Sequence, residues 1–262
     1  MNTGNEILRV CGLCKRFKLS AKQRKLNKTT DKYKEAVKNV SFSAYRGEIF
    51  GLLGPNGAGK TTTMRILSTL IRPDSGEAWI NGANVTTEAN KVRSRLGFLT
   101  GDLKLEQFFT PDYLFDFFSD LHGVEPEVRE RRKKALFERF GIIGFAQTKV
   151  AELSQGMRQK VSIVVSLVHD PDVIIFDEPT NGLDVITAKT VTDFLLELKA
   201  RGKTIVVSTH IFSLIEKLCD RVGILIDGQM VACDSLEAIC DGLSLEDRFF
   251  HLYSAVKGGT MV

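Results

Sequence analysis

Apolar and polar positions change period along the chain, and each change predicts an element. Ile7–Cys14 reads as a strand, and Val37–Tyr45 alternates apolar with polar residues as a half-buried strand does. Ile49-Phe50-Gly51-Leu52-Leu53 is a continuous apolar run, the pattern of a strand buried on both faces. Gly76–Asn81 predicts another strand, closed by Asn81-Gly82, a favoured hairpin turn. Helical signals then take over. Thr110-Pro111-Asp112 supplies an N-cap, a proline at the first helical position and an acid in the first turn, opening a helix to about Leu121. Pro126 opens a second helix with Val128, Ala135 and Leu136 toward a core, and Gly156–Val168 forms a third. Val173–Phe176, Thr204–Ser208 and Gly223–Ile226 are short apolar strands separated by the helical stretches Thr187–Arg201 and Phe212–Cys219. Such alternation implies a mainly parallel sheet covered on both faces. Ser244-Leu245-Glu246-Asp247 is a capping-box pattern for a terminal helix with Leu245, Phe249 and Leu252 on one face. The expected architecture is an α/β domain over 6–235 with a small antiparallel β subdomain, a helical insertion at about 88–165, and a helical extension at 236–262.

Two motifs add chemistry to this frame. The buried run at 49–53 feeds Gly54-Pro55-Asn56-Gly57-Ala58-Gly59-Lys60-Thr61, which fits the G-x-x-x-x-G-K-[ST] spacing of a P-loop, and a helix pattern starts at Thr62. Glycines let successive N–H groups turn inward, and the helix start adds its positive dipole end, so phosphate oxygens meet converging donors. Lys60 is then placed to reach the β- and γ-phosphates of a nucleoside triphosphate, and the Thr61 hydroxyl to ligate Mg²⁺. Asp177 and Glu178 follow the run Val173–Phe176, at the carboxyl end of a buried strand, where α/β folds place their ligands. This is a Walker B arrangement: Asp177 is the second candidate Mg²⁺ ligand, and Glu178 is the residue to polarise an attacking water. A P-loop NTPase with a RecA-like parallel-sheet core is the predicted fold.

Charge and composition narrow the class. Among 262 residues, 36 Lys and Arg face 32 Asp and Glu for a net charge of +4, with the signs interspersed, so nothing in the balance calls for a nucleic acid partner. The longest apolar runs fall well below the roughly 20 residues that cross a bilayer. Met1–Glu6 has no basic segment leading into an apolar one, which predicts a cytoplasmic protein. The stretch Lys18 to Lys38 is rich in lysine and poor in apolar residues; it reads as a solvated loop, with anionic lipid headgroups as the sharper alternative. Cys11-Gly12-Leu13-Cys14 lies in a predicted strand, where positions three apart face opposite ways, and Cys219, Cys233 and Cys240 supply no second pair, so reduced structural thiols are expected.

Between the two motifs lies Leu153-Ser154-Gln155-Gly156-Met157-Arg158-Gln159-Lys160, and after the second come Pro179-Thr180-Asn181-Gly182-Leu183-Asp184 and Ser208-Thr209-His210. In this order the motifs resemble the ATP-binding subunit of ABC transporters: an LSGGQ-like signature, a D-loop and a switch histidine. The resemblance implies that two such domains meet head to tail, as two copies or with a related subunit, and drive a separate integral membrane permease from the inner face of the membrane. It also implies that Ser154 and the N–H of Gly156 touch the γ-phosphate of the ATP held by the other subunit. On the same resemblance His210 would contact the γ-phosphate, Asp184 would communicate across the interface, and an aromatic before the second strand would stack on adenine. Phe17 is at that place, with Tyr33 in reserve and a core phenylalanine as the competing reading.

The chain departs from the family pattern at the Q-loop, where Gly101-Asp102 replaces the expected glutamine; Asp102 and Gln107 are the candidate substitutes. Gln155 stands for a signature glycine and Met157 for a glutamine. The aromatic segment Phe108 to Phe118 predicts a helix face of Leu114, Phe117, Phe118 and Leu121 inside the insertion. Phe108, Phe109 and Phe115 are left as candidates for a groove that receives a permease helix. A weaker likeness, through Gly97–Lys104 and Ser244–Phe249, points to the branch of sodium-extrusion and drug-export ATPases. Soluble ABC ATPases acting on ribosomes or DNA, and a regulatory nucleotide binder, are the rival classes. A single set of motifs and the absence of a coiled-coil insertion argue against the first two.

Overall fold

The computed structural model describes residues 5–26, 28–100 and 105–258. In chain order the elements are β1 (Glu6–Lys18), α1 (Ala21–Leu26), β2 (Tyr33–Tyr45), β3 (Ile49–Leu53), α2 (Lys60–Leu67), β4 (Ser75–Ile80), β5 (Ala83–Asn84), α3 (Ala89–Arg93) and β6 (Leu96–Leu99). There follow α4 (Pro111–Leu121), α5 (Pro126–Phe140), α6 (Gln155–Val165), β7 (Val173–Asp177), α7 (Val185–Ala200) and β8 (Thr204–Thr209). The last part holds α8 (Phe212–Leu218), β9 (Arg221–Ile226), β10 (Gln229–Ser235), α9 (Leu236–Cys240) and α10 (Leu245–Lys257).

Two sheets organise them. One is antiparallel in the order β2-β1-β4-β5; the other runs β10-β9-β3-β8-β7-β6, parallel from β9 to β6 with β10 antiparallel at its edge. The parallel strands are buried on both faces, and their two-residue period sorts the core into two layers. Phe50, Leu52, Val173, Ile175 and Val206 join the layer shared with the antiparallel sheet, while Ile49, Leu53, Ile174, Phe176, Ile205 and Val207 pack beneath the helical layer. The β9–β10 turn ties the sheets together beside the P-loop. Gly228 donates its N–H to the Ala58 carbonyl (3.0 Å), and its own carbonyl accepts from Lys38 N–H (2.7 Å). Gly51 has no Cβ because one there would lie 2.5 Å from Ile215 Cδ1, so α8 packs directly on β3.

Several expectations change. The lysine-rich stretch is not a loop: β1 continues to Lys18, β2 begins at Tyr33, and Ala21–Leu26 is helical. Its strands pair through backbone bonds, Phe17 opposite Lys34 and Lys18 opposite Tyr33, so they need little burial to form. Leu96–Leu99, placed inside the helical insertion by sequence, is instead the edge strand of the parallel sheet, paired with β7. In α4 it is Leu114 and Phe115 that are buried, whereas Phe117 and Leu121 are exposed, so Phe115 is core and not a groove residue. Phe115 meets Phe137 of α5 edge to face at 5.6 Å. Phe137 and Phe140 anchor α5, and Ala135 faces solvent. Gly12, at φ 59°, interrupts the β1 register between Cys11 and Cys14, so the local chain is a bulge and not a regular strand.

At the far end of α4, His122 and His169 stack with ring centroids 3.9 Å apart, and His169 Nε2 donates to the Leu96 carbonyl at 3.2 Å. Burial, followed by the neighbouring His122, pushes the His169 pKa down to about 4. An unfolded histidine titrates near 6.5, so between about pH 6.5 and 4 the unfolded chain binds a proton that the folded chain refuses, and stability falls as pH falls. Denaturant titrations across that window are expected to show this acid loss. His169→Phe, which keeps the stacked ring and removes the titration, is expected to flatten the slope by up to one proton.

Candidate functional site

The sheet order puts three chain segments with chemistry side by side. β8 lies between β3 and β7, so the glycine turn after β3, Glu178 after β7 and His210 after β8 emerge at one edge. The glycines of the turn are required by contact as well as conformation. A Cβ at Gly54 would lie 2.3 Å from the Leu225 carbonyl oxygen, and one at Gly59 would lie 2.3 Å from that of Ala36. Gly59 has φ 103° and Gly57 φ 83°, both left-handed. α2 starts at once with Lys60, so the turn and the helix N-terminus face the same space.

Lys60 is buried, and its ammonium donates to the Gly54 carbonyl (2.7 Å) and the Pro55 carbonyl (3.3 Å). It also lies 3.5 Å from Glu178 Oε1. Burial pushes the Lys60 pKa down, and the charges of Glu178 and Asp177 oppose that shift. The same Glu178 oxygen is 3.0 Å from His210 Nδ1. Glu178 itself has φ 52°, a left-handed conformation that costs a non-glycine residue roughly 1–2 kcal/mol, and its N–H is held by the Ser208 carbonyl at 3.0 Å. Asp177 is buried at the end of β7, and the Ser208 hydroxyl donates to its Oδ1. Sequence reading passed over Ser208 as a member of the switch-histidine motif; its role in holding both acids is visible only once β8 lies against β7.

A cavity of about 290 Å³ gathers Phe17, Lys34, Asn56, Gly57, Lys60, Thr61, Thr62 and Glu178. Phe17 therefore lies at the mouth of the glycine turn, 41% exposed, with the Lys15 ammonium 5.8 Å from its ring centre. Tyr33 lines a neighbouring cavity instead, its face covered by the Arg16 guanidinium at 5.0 Å. Lys34 lines both cavities and carried no sequence signal beyond a basic stretch. Asp102 lies outside the described residues.

Ser154, Gly156 and Asp184 do not line this cavity. Ser154 caps α6 by accepting the Met157 N–H (3.2 Å), and a Cβ on Gly156 would meet nothing of its own chain nearer than Leu183 Cδ2 at 3.9 Å. Asp184 caps α7, accepting from the N–H groups of Ile186 and Thr187, both at 3.0 Å. Those bonds, chiefly from Thr187, hold its pKa low. The signature helix and the D-loop touch within the chain: the Gln155 amide lies 2.5 Å from where a Gly182 Cβ would be, and Gln159 Nε2 donates to the Pro179 carbonyl at 3.3 Å.

A glycine cradle, a lysine within it and two acids at the adjoining strand ends define a nucleotide-hydrolysing site, and a match over residues 37–181 shows that the chain belongs to the ABC transporter family. It is an ATP-binding cassette, an ATPase subunit. Among relatives, it is 35% identical over 226 residues to the ABC transporter ATP-binding protein NatA of Bacillus subtilis, covering 86% of this chain and 92% of NatA. It is 33% identical over 210 residues to the linearmycin resistance ATP-binding protein LnrL of the same species, covering 80% of this chain and 68% of LnrL. The fold matches a solved ATP-binding subunit of an ABC transporter with a TM-score of 0.82 at 28% identity, over 94% of this chain and 99% of that one. It also matches the dimeric ATP-binding cassette MJ0796 in a post-hydrolysis state bound to ADP and Pi, with a TM-score of 0.76 at 26% identity, over 88% of this chain and 99% of that one. Among the described residues, no helix is long and apolar enough to cross a membrane.

The left-handed backbone at Gly59 generates a stability prediction. Gly59→Ala combines an unfavourable φ with a Cβ 2.3 Å from a carbonyl oxygen, so a loss of at least about 1–3 kcal/mol is expected in urea denaturation. Gly47→Ala, where φ is 74° but nothing lies within 4 Å of the added carbon, isolates the backbone part and is expected to lose less.

Proposed function

We propose that this cassette binds Mg-ATP between its own P-loop and the signature segment of a second cassette, hydrolyses it there, and drives an integral membrane permease, with export as the direction. The single observation that carries the catalytic reading is the convergence of Lys60 and His210 on one oxygen of Glu178, at 3.5 and 3.0 Å. When a triphosphate enters the cradle, Lys60 exchanges the Gly54 and Pro55 carbonyls for phosphate oxygens, and P-loop N–H groups from Asn56 to Thr62 complete the shell. Thr61 and Asp177 offer a hydroxyl and a buried carboxylate, the hard oxygen donors that Mg²⁺ takes, and the ion supplies charge neutralisation on the phosphates when bound. Glu178 polarises the water that attacks the γ-phosphorus, the bond to the β–γ bridging oxygen breaks, and ADP and phosphate leave. His210 holds the Glu178 carboxylate in place and contacts the γ-phosphate. Phe17, at the cavity mouth, stacks on adenine in preference to Tyr33.

Ser154 and Gly156 stand apart from the chain's own cradle, which supports their acting on the ATP of a second cassette; Asp184 is then at the joint. The dimeric form of a structural relative supports the same arrangement. For the permease, an apolar cleft of about 580 Å³ beside the parallel-sheet edge is lined by Leu70, Phe98, Phe118, Leu121, His122 and His169. This cleft suits an amphipathic helix better than Phe108, which is 80% exposed, or Phe109, which stacks on Tyr113 at 4.5 Å. Association with such a permease places the chain at the cytoplasmic face of the membrane. Relatives named for linearmycin resistance and Nod factor export support export; sodium ions or a drug-like compound is the proposed cargo class.

Glu178→Gln is expected to lower ATPase activity by about 10²-fold or more while retaining ATP and accumulating an ATP-dependent dimer in size-exclusion chromatography. Unchanged turnover would remove Glu178 from the mechanism. Phe17→Ala is expected to weaken ATP binding by roughly 5- to 100-fold, the range of one lost base–aromatic stack, whereas Tyr33→Ala leaves titrations with a fluorescent ATP analogue nearly unchanged.

A further inference from the structure

The C-terminal helix α10 does more than close the core. Its Phe249 packs on Phe212 of α8 (ring centroids 5.3 Å apart) and on Phe250 (5.6 Å), with Tyr253 stacked at 6.0 Å. This aromatic group walls an apolar cavity of about 360 Å³ whose other side is Pro55 of the P-loop and His210. The cavity therefore opens on the face that carries the phosphate site. Phe250 remains 47% exposed there.

A second apolar feature on the same edge lacks a cover. Val185 and Ile186, the first two residues of α7 and the pair that directly follows Asp184, are 86% and 80% exposed, while Val191 further along the helix is fully buried. The backbone of Ile186 is already satisfied: Asp184 accepts its N–H at 3.0 Å, and its carbonyl accepts from Thr190 Oγ1 at 3.0 Å. Ile186 can therefore be withdrawn from water without stranding its backbone polar groups, which is the condition for burying it in an interface.

We propose that the aromatic cleft of α10 is the seat for Val185 and Ile186 of a second copy of this chain. The inference rests on the head-to-tail dimer proposed above, because the cleft is continuous through Pro55 and His210 with the face that dimer closes over. The D-loop that delivers the pair is the segment assigned to the joint. In a twofold arrangement each copy gives one tip and one cleft, so the contact is made twice. The C-terminal extension thereby becomes part of the interface, and closure over ATP is reported directly to α10. The cleft touches Gly54, Pro55 and His210, so occupation by the partner also excludes water from the back of the phosphate site.

The test uses the full chain carrying Glu178→Gln, with ATP and Mg²⁺. Ile186 is replaced by the photoreactive benzoylphenylalanine, and this protein is mixed with an isotopically labelled copy lacking the probe. The expected result is ATP-dependent adducts between position 186 and labelled peptides containing Phe249 to Tyr253. In the same background Ile186→Asp and Phe250→Ala, both at exposed sites, are each expected to weaken the ATP-dependent dimer by about tenfold or more, with ATP binding by the separated chain unchanged. A dimer that forms normally, with adducts elsewhere and no effect of Ile186→Asp, overturns this contact and leaves the dimer standing. Failure of the Glu178→Gln protein to dimerise with ATP at all overturns both.

Discussion

Glu178 is the point on which the site depends, and its position is set by backbone strain that the sheet enforces. A carboxylate one residue beyond a buried strand can point in several directions. Here the chain turns left-handed at φ 52°, and the Ser208 carbonyl of the next strand fixes the turn through the Glu178 N–H at 3.0 Å. The result aims Oε1 between a buried lysine and a histidine from two other strand ends. A preference of about 1–2 kcal/mol against this conformation persists because β8, lying between β3 and β7, over-determines it. Without that strand order, the P-loop, the acid and the histidine would not share an edge.

Lys60 shows what the site does before nucleotide arrives. Its ammonium is buried and takes two P-loop carbonyls and one carboxylate as partners, so the cradle holds itself in shape around its own cation. In the proposed mechanism an incoming triphosphate offers Lys60 anionic oxygens in place of the two carbonyls, which adds ion-pair attraction to bonds whose donor is already charged. On that proposal, binding exchanges partners at Lys60 without leaving its charge unpaired in a low-dielectric pocket, and Glu178 is released to act on water.

How legible this was depended on which force sets each residue. The P-loop was readable because steric exclusion sets it: Gly54 and Gly59 each face a carbonyl oxygen at 2.3 Å from a hypothetical Cβ, and that demand appears as glycine spacing. The central strands were readable because burial on both faces leaves only apolar residues, as in Val173–Phe176. The Lys18–Lys38 stretch was misread because its strands are held by backbone pairing, with Tyr33, Lys34 and Glu35 all exposed, and such pairing leaves no hydrophobic alternation to read. Phe115 was mistaken for a groove residue because α4 packs against α5 through a face centred on Leu114 and Phe115, and a helix with aromatics on every side does not announce which face is inward. The conformation of Glu178 has no local sequence cause, since the strand that imposes it lies thirty residues further along, at Ser208.

The same distinction accounts for the altered signature. A glutamine where the family resemblance leads one to expect glycine would look like damage to a phosphate contact. Yet Gln155 turns onto Gly182, where a Cβ would lie 2.5 Å from its amide, and Gln159 reaches the Pro179 carbonyl one turn further along. One close approach and one hydrogen bond thus join the start of α6 to the segment between Glu178 and Asp184. Gly156 stays clear of its own chain, its nearest would-be contact being 3.9 Å away. The substitution thus adds a contact inside the chain and leaves open Gly156, the glycine proposed to meet a partner's phosphate. In the proposed closed dimer these contacts couple the signature helix to the D-loop, and through it to the apolar pair at the head of α7.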